Sequence, residues 1–101
     1  MIKVTVLYGH PADPAAFERY YNDVHLPIAG RMTGFVKFEF TVFGPGPDGA
    51  KPAYHRMAEF WFESEAALQA TLSSEAGQAT VADIPNFADG GATFMFGQVV
   101  G

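Results

Sequence analysis

Two tyrosines and a histidine lie close together at the end of one predicted helix. The segment Tyr20-Tyr21-Asn22-Asp23-Val24-His25-Leu26-Pro27 places His25 four residues after Tyr21, so their side chains share a helix face. The dipole at a helix C-terminus favours a protonated imidazole ring. A histidine there can act as a general acid, act as a general base or anchor a ligand oxygen. The segment predicts a site in which His25 transfers protons and Tyr21 orients an oxygen.

Each of these residues also has a purely structural interpretation. His25 can close the helix end by a hydrogen bond to a nearby carbonyl. Both tyrosines can pack on a sheet with their hydroxyls at the rim. Because consecutive helical residues point about 100° apart, we expect Tyr21 to face the sheet and Tyr20 to lie nearer the flank. The sequence leaves both interpretations open.

Four further aromatic residues are candidates for binding a ligand. Phe17 and Tyr20 belong to the same predicted helix, whereas His55 and Trp61 are predicted on one face of the third strand. Packing in a subunit interface is the alternative for His55 and Trp61. His10, in a Gly-His-Pro turn, is interpreted as a loop residue near a strand end.

Several kinds of chemistry lack the residues that they need. The chain has no Cys, which excludes disulfides and thiolate catalysis. Its three His residues lack the close spacing of metal ligands, and no glycine-rich phosphate loop or nucleophilic serine motif is present. We therefore expect no metal and no cofactor, although one His could in principle hold a haem.

Charge and hydropathy narrow the range of partners. The net charge is −5 and the six Lys and Arg are scattered, so no basic stripe for nucleic acid exists. No window approaches the roughly 18 continuous apolar residues of a membrane helix. The N-terminal residues alternate between apolar and polar, which predicts a strand and not a signal peptide. We expect a cytoplasmic protein with no nucleic-acid or membrane partner.

The hydrophobic periodicity predicts the element order strand, helix, strand, strand, helix, strand in a single domain over residues 1–101. Asp13 caps a helix that begins at Pro14 and should end or kink near Leu26, because Pro27 cannot donate a hydrogen bond. The other predicted elements are strands over 2–8, 35–43, 53–62 and 92–100, and helical segments over 65–72 and 74–85. This order predicts an α+β, ferredoxin-like βαββαβ fold, with a four-stranded antiparallel sheet and both helices on one face.

The alternation in the central hairpin assigns its two faces. The apolar face should pack against the helices; its members are Val36, Phe38, Phe40, Ala58, Phe60 and Phe62. The opposite face is mixed and pairs Phe35 with Trp61 and Lys37 with Glu59. It suits a subunit interface or the wall of a semi-polar cavity. On the first helix the predicted buried stripe is Phe17, Tyr20, Tyr21, Val24 and Ile28.

The chain resembles the EthD family. The resemblance is carried by Tyr8, Phe17, Tyr20-Tyr21, His25-Leu26-Pro27-Ile28-Ala29 and Gly34, and by Tyr54, Ala58-Glu59-Phe60-Trp61-Phe62-Glu63-Ser64 and Ala66-Ala67-Leu68. It implies a dimeric α+β barrel in which two sheets pack face to face and each subunit holds a pocket. The family is named for a protein needed in ethyl tert-butyl ether degradation. Related barrels include cofactor-free cyclases, decarboxylases, isomerases and monooxygenases, and in the isomerase-like members the histidine matching His25 lies in the pocket.

Two functions follow from these expectations. The first is a homodimeric protein that binds a small apolar or aromatic carbonyl compound, in xenobiotic degradation or polyketide-type chemistry, and acts on it by cofactor-free acid–base catalysis at His25. The alternative is a non-enzymatic ligand carrier or accessory protein of a degradation pathway, which needs the same pocket and no catalytic group. A monooxygenase accessory that binds haem is a third possibility.

Overall fold

Four strands form one antiparallel sheet, and helices cover one of its faces. The computed structural model describes residues 1–101. The strands are β1 (Ile2–Tyr8), β2 (Lys37–Val42), β3 (Arg56–Phe62) and β4 (Ala92–Gln98), in the order β2-β3-β1-β4. The helices are α1 (Pro14–Tyr20), α2 (Leu26–Ala29), α3 (Glu65–Ser73) and α4 (Glu75–Asp83). The predicted α+β, ferredoxin-like arrangement is confirmed.

Local sequence signals account for the ends of the helices. The Asp13 side chain accepts a hydrogen bond from the Ala16 amide at 3.1 Å, and Pro14 occupies the first turn, where its missing N–H costs nothing. Ser64 caps α3 in the same way through the Ala67 amide. Ser74 ends α3 and begins α4, since its hydroxyl donates to the Thr71 carbonyl and accepts from the Gly77 amide.

The first helix does not end before Pro27. Residues Tyr21–His25 form a π-helical turn between α1 and α2, and the Leu26 amide donates to the Tyr21 carbonyl five residues back. This wider turn accommodates the proline, so the chain stays helical to Ala29. It also changes which residues face the sheet: His25 and Ala29 are buried, whereas Val24 is 38% exposed. The predicted stripe is therefore wrong at Val24, which is exposed, and it omits His25 and Ala29.

The pairing of β2 with β3 is shifted by two residues from the predicted register. Lys37 lies opposite Trp61, and Glu39 lies opposite Glu59. The hairpin loop is longer than predicted, since the Phe43 amide donates to the His55 carbonyl at 3.0 Å. Within this loop the Pro52 carbonyl accepts a hydrogen bond from the His10 ring at 2.6 Å. The two facing carboxylates do not share one lysine: Glu59 pairs with Lys3 and Glu39 with Lys37, both at 3.0 Å.

The predicted assignment of side chains to the two faces of the sheet is correct within the paired strands and wrong just outside them. Phe35 precedes β2 and packs against Phe60 and Phe62 on the helix side, with ring centroids 5.5 and 6.5 Å apart, instead of on the opposite face. His55 precedes β3 and contacts Phe17 of α1, with ring centroids 4.9 Å apart. Alternation requires extended backbone, and both residues lie where that backbone ends.

The close contact between α3 and α4 predicts a strict requirement for glycine at position 77. A Cβ atom there would lie 2.1 Å from the Thr71 carbonyl oxygen and 3.0 Å from the Leu72 Cα, both backbone atoms. We expect Gly77→Ala to lower the free energy of unfolding by about 1–3 kcal/mol, although alanine favours helix formation. Urea denaturation measures this. Gly44→Ala, which meets nothing within 4 Å, is the matched control, and equal losses in both variants would contradict the packing argument.

Candidate functional site

His25 is buried and held by a carboxylate from a distant helix. Its Nδ1 atom lies 2.9 Å from Oδ2 of Asp83, the last residue of α4. The other carboxylate oxygen, Oδ1, accepts hydrogen bonds from the Tyr20 hydroxyl at 2.7 Å and from the Asn86 amide at 3.1 Å. His25 is 3% exposed and Asp83 is 7% exposed. The pair thus lies inside the protein with three donors on one carboxylate.

The protonation states of this pair follow from its surroundings. Burial lowers the pKa of His25 below 6.5 and outweighs the opposing effect of Asp83. Burial would raise the pKa of Asp83, but the hydrogen bonds from Tyr20, Asn86 and His25 outweigh it and lower the pKa. Asp83 is therefore ionised and His25 neutral at neutral pH. Since a carboxylate only accepts, the ring proton is assigned to Nδ1, which leaves the lone pair on Nε2.

A cavity of about 640 Å³ lies between the sheet and the helices, and His25 lines it. Nε2 of His25 has no hydrogen-bond partner in the protein and is not fully occluded, so it is available to a bound molecule. Of the 21 lining residues 17 are hydrophobic, and none carries a permanent charge. The volume lies within the usual range for small-molecule sites, roughly 300–1,000 Å³.

Two phenol groups supply polar atoms beside the imidazole. Tyr8 and Tyr21 both line the cavity, and each is 1% exposed. Burial raises the pKa of Tyr8, as does the neighbouring Tyr21. Burial also raises the pKa of Tyr21, against an opposing effect of Arg56. Both phenols therefore keep their protons at neutral pH and can donate hydrogen bonds.

Two of the six candidate residues line the cavity, and the other four do not. Tyr21 and His25 lie together in the cavity wall, with ring centroids 5.1 Å apart. Phe17 and Tyr20 lie outside that wall: Phe17 stacks on Tyr21 at 5.8 Å, and Tyr20 reaches Asp83 from the flank.

The other two candidates, His55 and Trp61, lie outside the cavity wall as well. The His55 Nε2 atom is 3.1 Å from the Glu18 carboxylate. Trp61 lies on the sheet face that no helix covers, with the Lys37 ammonium 4.5 Å and the Lys3 ammonium 5.5 Å from its ring centroid. The structure therefore does not bring these two residues to Tyr21 and His25.

Sequence reasoning missed Asp83 and Arg56. Asp83 is an acidic residue in the apolar run Val81-Ala82-Asp83-Ile84, and that contrast was the available signal. Its partner His25 is 58 positions away, so no spacing rule connects them. Arg56 begins β3 on the apolar face, and its guanidinium lies 3.9 Å from the centroid of the Tyr21 ring.

The side chains offer no obvious place for a metal ion. No three His, Asp or Glu side chains converge in a metal-binding arrangement. No helix combines the length and the hydropathy that crossing a membrane requires.

The fold and the cavity define a ferredoxin-like α+β protein with an apolar pocket between its helices and its sheet. The EthD domain model matches residues 9–91, and the chain belongs to the EthD family. An uncharacterised 11.0 kDa protein in the thcB-thcC intergenic region of Rhodococcus erythropolis is 38% identical over 96 residues, which are 95% of this chain and 92% of that protein.

Solved structures agree with this assignment. An EthD family protein from Bacillus halodurans is 27% identical, with a TM-score of 0.90 and 99% of both chains covered. An EthD-like protein from Ralstonia eutropha is 25% identical, with a TM-score of 0.73, covering 98% of this chain and 91% of that one.

The buried His25 predicts a loss of stability on acidification. Because its pKa in the folded state lies below the ordinary value of 6.5, the unfolded chain binds the proton at higher pH than the folded chain does. The contribution of His25 is therefore fully present above pH 6.5 and is lost as the pH falls towards the pKa of the folded state. Asp83 adds a loss of the same sign below its ordinary value of 3.8.

Urea denaturation between about pH 8 and about pH 5 measures this loss, since ordinary histidine titrates in that interval. The matched variant is His25→Gln, which keeps a donor for Asp83 but does not titrate. We expect its free energy of unfolding to depend less on pH than that of the wild type. An equal dependence in both proteins would contradict the assignment.

Proposed function

We propose that this protein binds a small, neutral, mostly apolar carbonyl compound and moves a proton on the carbon next to the carbonyl group, without a cofactor. The observation that carries this proposal is the neutral imidazole of His25, held by Asp83 at 2.9 Å in the wall of an otherwise largely apolar cavity. A neutral imidazole with a free lone pair is a suitable general base near neutral pH.

In the proposed step the lone pair on Nε2 of His25 accepts the proton from carbon. The electrons of the broken C–H bond form a C=C bond, and the carbonyl oxygen becomes an enolate oxygen. The Tyr21 hydroxyl donates a hydrogen bond to that oxygen. The imidazole becomes imidazolium, whose charge Asp83 stabilises through Nδ1. Return of the proton to the same carbon gives exchange, and, where a further C=C bond is conjugated with the enolate, its return to the far carbon of that bond completes an isomerisation.

The lining of the cavity limits the class of substrate. A phosphate or carboxylate group would lie beside apolar side chains with no positive side chain in the wall. Burial of an unpaired charge costs several kcal/mol, so such molecules should be rejected. The available polar groups are hydroxyls, one amide and the imidazole, which suit a ketone, an ester, a lactone or a phenol.

The proposal also bears on the name of the family. The relative from Bacillus halodurans belongs to a protein family whose name refers to ethyl tert-butyl ether. An ether has no carbonyl group and no readily removed proton. In such a pathway the proposed step would therefore act on a carbonyl compound formed by earlier oxidation.

A non-enzymatic carrier is the second candidate function. The observation that favours it is the apolar wall, in which 17 of 21 residues are hydrophobic, because hydrophobic burial alone can hold a ligand. A carrier or accessory protein of a degradation pathway would bind the same compounds and leave them chemically unchanged.

Hydrogen exchange distinguishes the two functions. We expect the wild-type protein to incorporate deuterium from D2O at the carbon next to the carbonyl in at least one member of a panel of cyclic ketones and lactones. His25→Gln should slow this exchange by about 100-fold or more, the usual contribution of a general base. Nuclear magnetic resonance measures the incorporation.

The matched control is His10→Gln, which removes a histidine outside the cavity and should leave the exchange rate unchanged. Native mass spectrometry on the same panel detects binding directly. Binding without exchange in the wild type would support the carrier and exclude the acid–base role for this panel. Equal exchange by the wild type and His25→Gln would exclude His25 as the base.

We further propose that the protein is a homodimer whose two sheets pack face to face. One face of the sheet has no helix over it and carries Trp61, Met57 and Met95, the last 47% exposed. Apolar groups concentrated on an uncovered face commonly mark an interaction surface.

A charge on the uncovered face should therefore disrupt the dimer. Light scattering should give the wild type a mass of twice 10.9 kDa at micromolar concentration and give Met95→Glu the mass of one chain, because burial of an unpaired carboxylate costs several kcal/mol. The control Ala70→Glu places the same charge on the exposed side of α3 and should stay dimeric. A monomeric wild type would rule out the dimer.

A further inference from the structure

A buried arginine lies directly against the tyrosine of the proposed site. The guanidinium carbon of Arg56, the first residue of β3, lies over the Tyr21 ring, 3.9 Å from its centroid. Arg56 is 6% exposed and does not line the cavity. It therefore does not touch a bound molecule directly, and Tyr21 is the cavity-lining residue whose ring it contacts.

Few groups compensate the buried positive charge. Nη1 of Arg56 donates to the Glu18 carboxylate at 2.6 Å, and the other oxygen of Glu18 is 3.1 Å from His55 Nε2. The Nε atom of Arg56 is buried without a hydrogen-bond partner. An unmatched buried donor normally lowers the stability of the folded state, and such exceptions call for an explanation. Because Glu18 is 30% exposed at its side chain, its charge is partly screened by water.

We propose that Arg56 is a positioning residue that strengthens the Tyr21 hydroxyl as a hydrogen-bond donor to a substrate oxygen that gains negative charge. The cation over the ring face attracts electron density from the phenol, and this makes the O–H group a better donor. The inference rests on the proposed function and narrows its substrates to carbonyl compounds whose oxygen becomes enolate-like in the reaction.

The electrostatics of the tyrosine agree with this arrangement. Burial raises the pKa of Tyr21, and the positive charge of Arg56 opposes that rise. Glu18 acts in the opposite direction to Arg56. The other ionisable groups that face Tyr21 are Tyr8 from β1 and His25 on its own helix.

A salt bridge that only joins α1 to β3 would use the same contacts between Arg56 and Glu18. The two roles differ in what they do to Tyr21. A role as a clamp alone requires an effect on stability and requires none on the acidity of the phenol. A positioning residue changes that acidity. Removal of the positive charge of Arg56 and removal of the negative charge of Glu18 must then shift the pKa of the phenol in opposite directions.

The test replaces Tyr21 with 3-fluorotyrosine in the full chain and follows its fluorine resonance as a function of pH. In Arg56→Met, which keeps the length of the side chain and removes its charge, the midpoint of phenol ionisation should move to higher pH. In Glu18→Gln it should move to lower pH. Arg56→Lys, which keeps the charge, should lie between Arg56→Met and the unmodified Arg56 protein. Circular dichroism confirms that each variant is folded.

An unchanged midpoint in a folded Arg56→Met protein would overturn the proposal. If Arg56→Met does not fold, the Glu18→Gln variant provides the test. A midpoint of phenol ionisation in Glu18→Gln that equals or exceeds that of the unmodified protein would then overturn the proposal. These readouts need no turnover, so they remain decisive if the proposed proton transfer is wrong. With a panel compound that exchanges, Arg56→Met should also lower kcat about tenfold with little change in KM, as expected for loss of a transition-state interaction.

Discussion

The buried carboxylate of Asp83 is the interaction on which the site and much of the helical layer depend. It joins the end of α4 to the first helix through Tyr20 and His25, and to the following turn through Asn86. Hydrogen bonds to a charged group contribute about 1.5–3 kcal/mol each, which offsets the cost of burying the charge. The hydrogen bonds that join α4 to the first helix therefore also orient the imidazole ring of His25. Stability and the proposed chemistry depend on the same carboxylate.

Aromatic packing around Phe87 gives this polar contact its dry surroundings. The Phe87 ring centroid lies 4.6 Å from that of His25, 5.3 Å from Phe17 and 5.5 Å from Tyr21. Phe17 and Tyr20, which lie outside the cavity wall, belong to this cluster. Their physical effect is to exclude water from the Asp83 carboxylate and the His25 ring, which strengthens the hydrogen bond between them.

Much of the fold was predictable because its signals are local. The Asp13 and Ser64 caps and the alternation in β1 depend on a few neighbouring residues, and all were read correctly from the sequence. The errors came where local rules compete with distant contacts. The π turn carried His25, and not Val24, to the buried side. The register of the hairpin is shifted by two residues from the one that the sequence predicts, and its loop contacts His10 from outside the hairpin.

The amino-acid sequence by itself determined the element order, the strand faces within the sheet and the common face of Tyr21 and His25, because each follows from the periodicity of one segment. Only the tertiary structure decided that Asp83 holds His25 and that Arg56 lies under Tyr21. Those contacts join residues far apart in the chain, and no periodic pattern within a helix or strand encodes them. They exist because the packed sheet brings the end of α4 and the start of β3 to the same turn of the first helix.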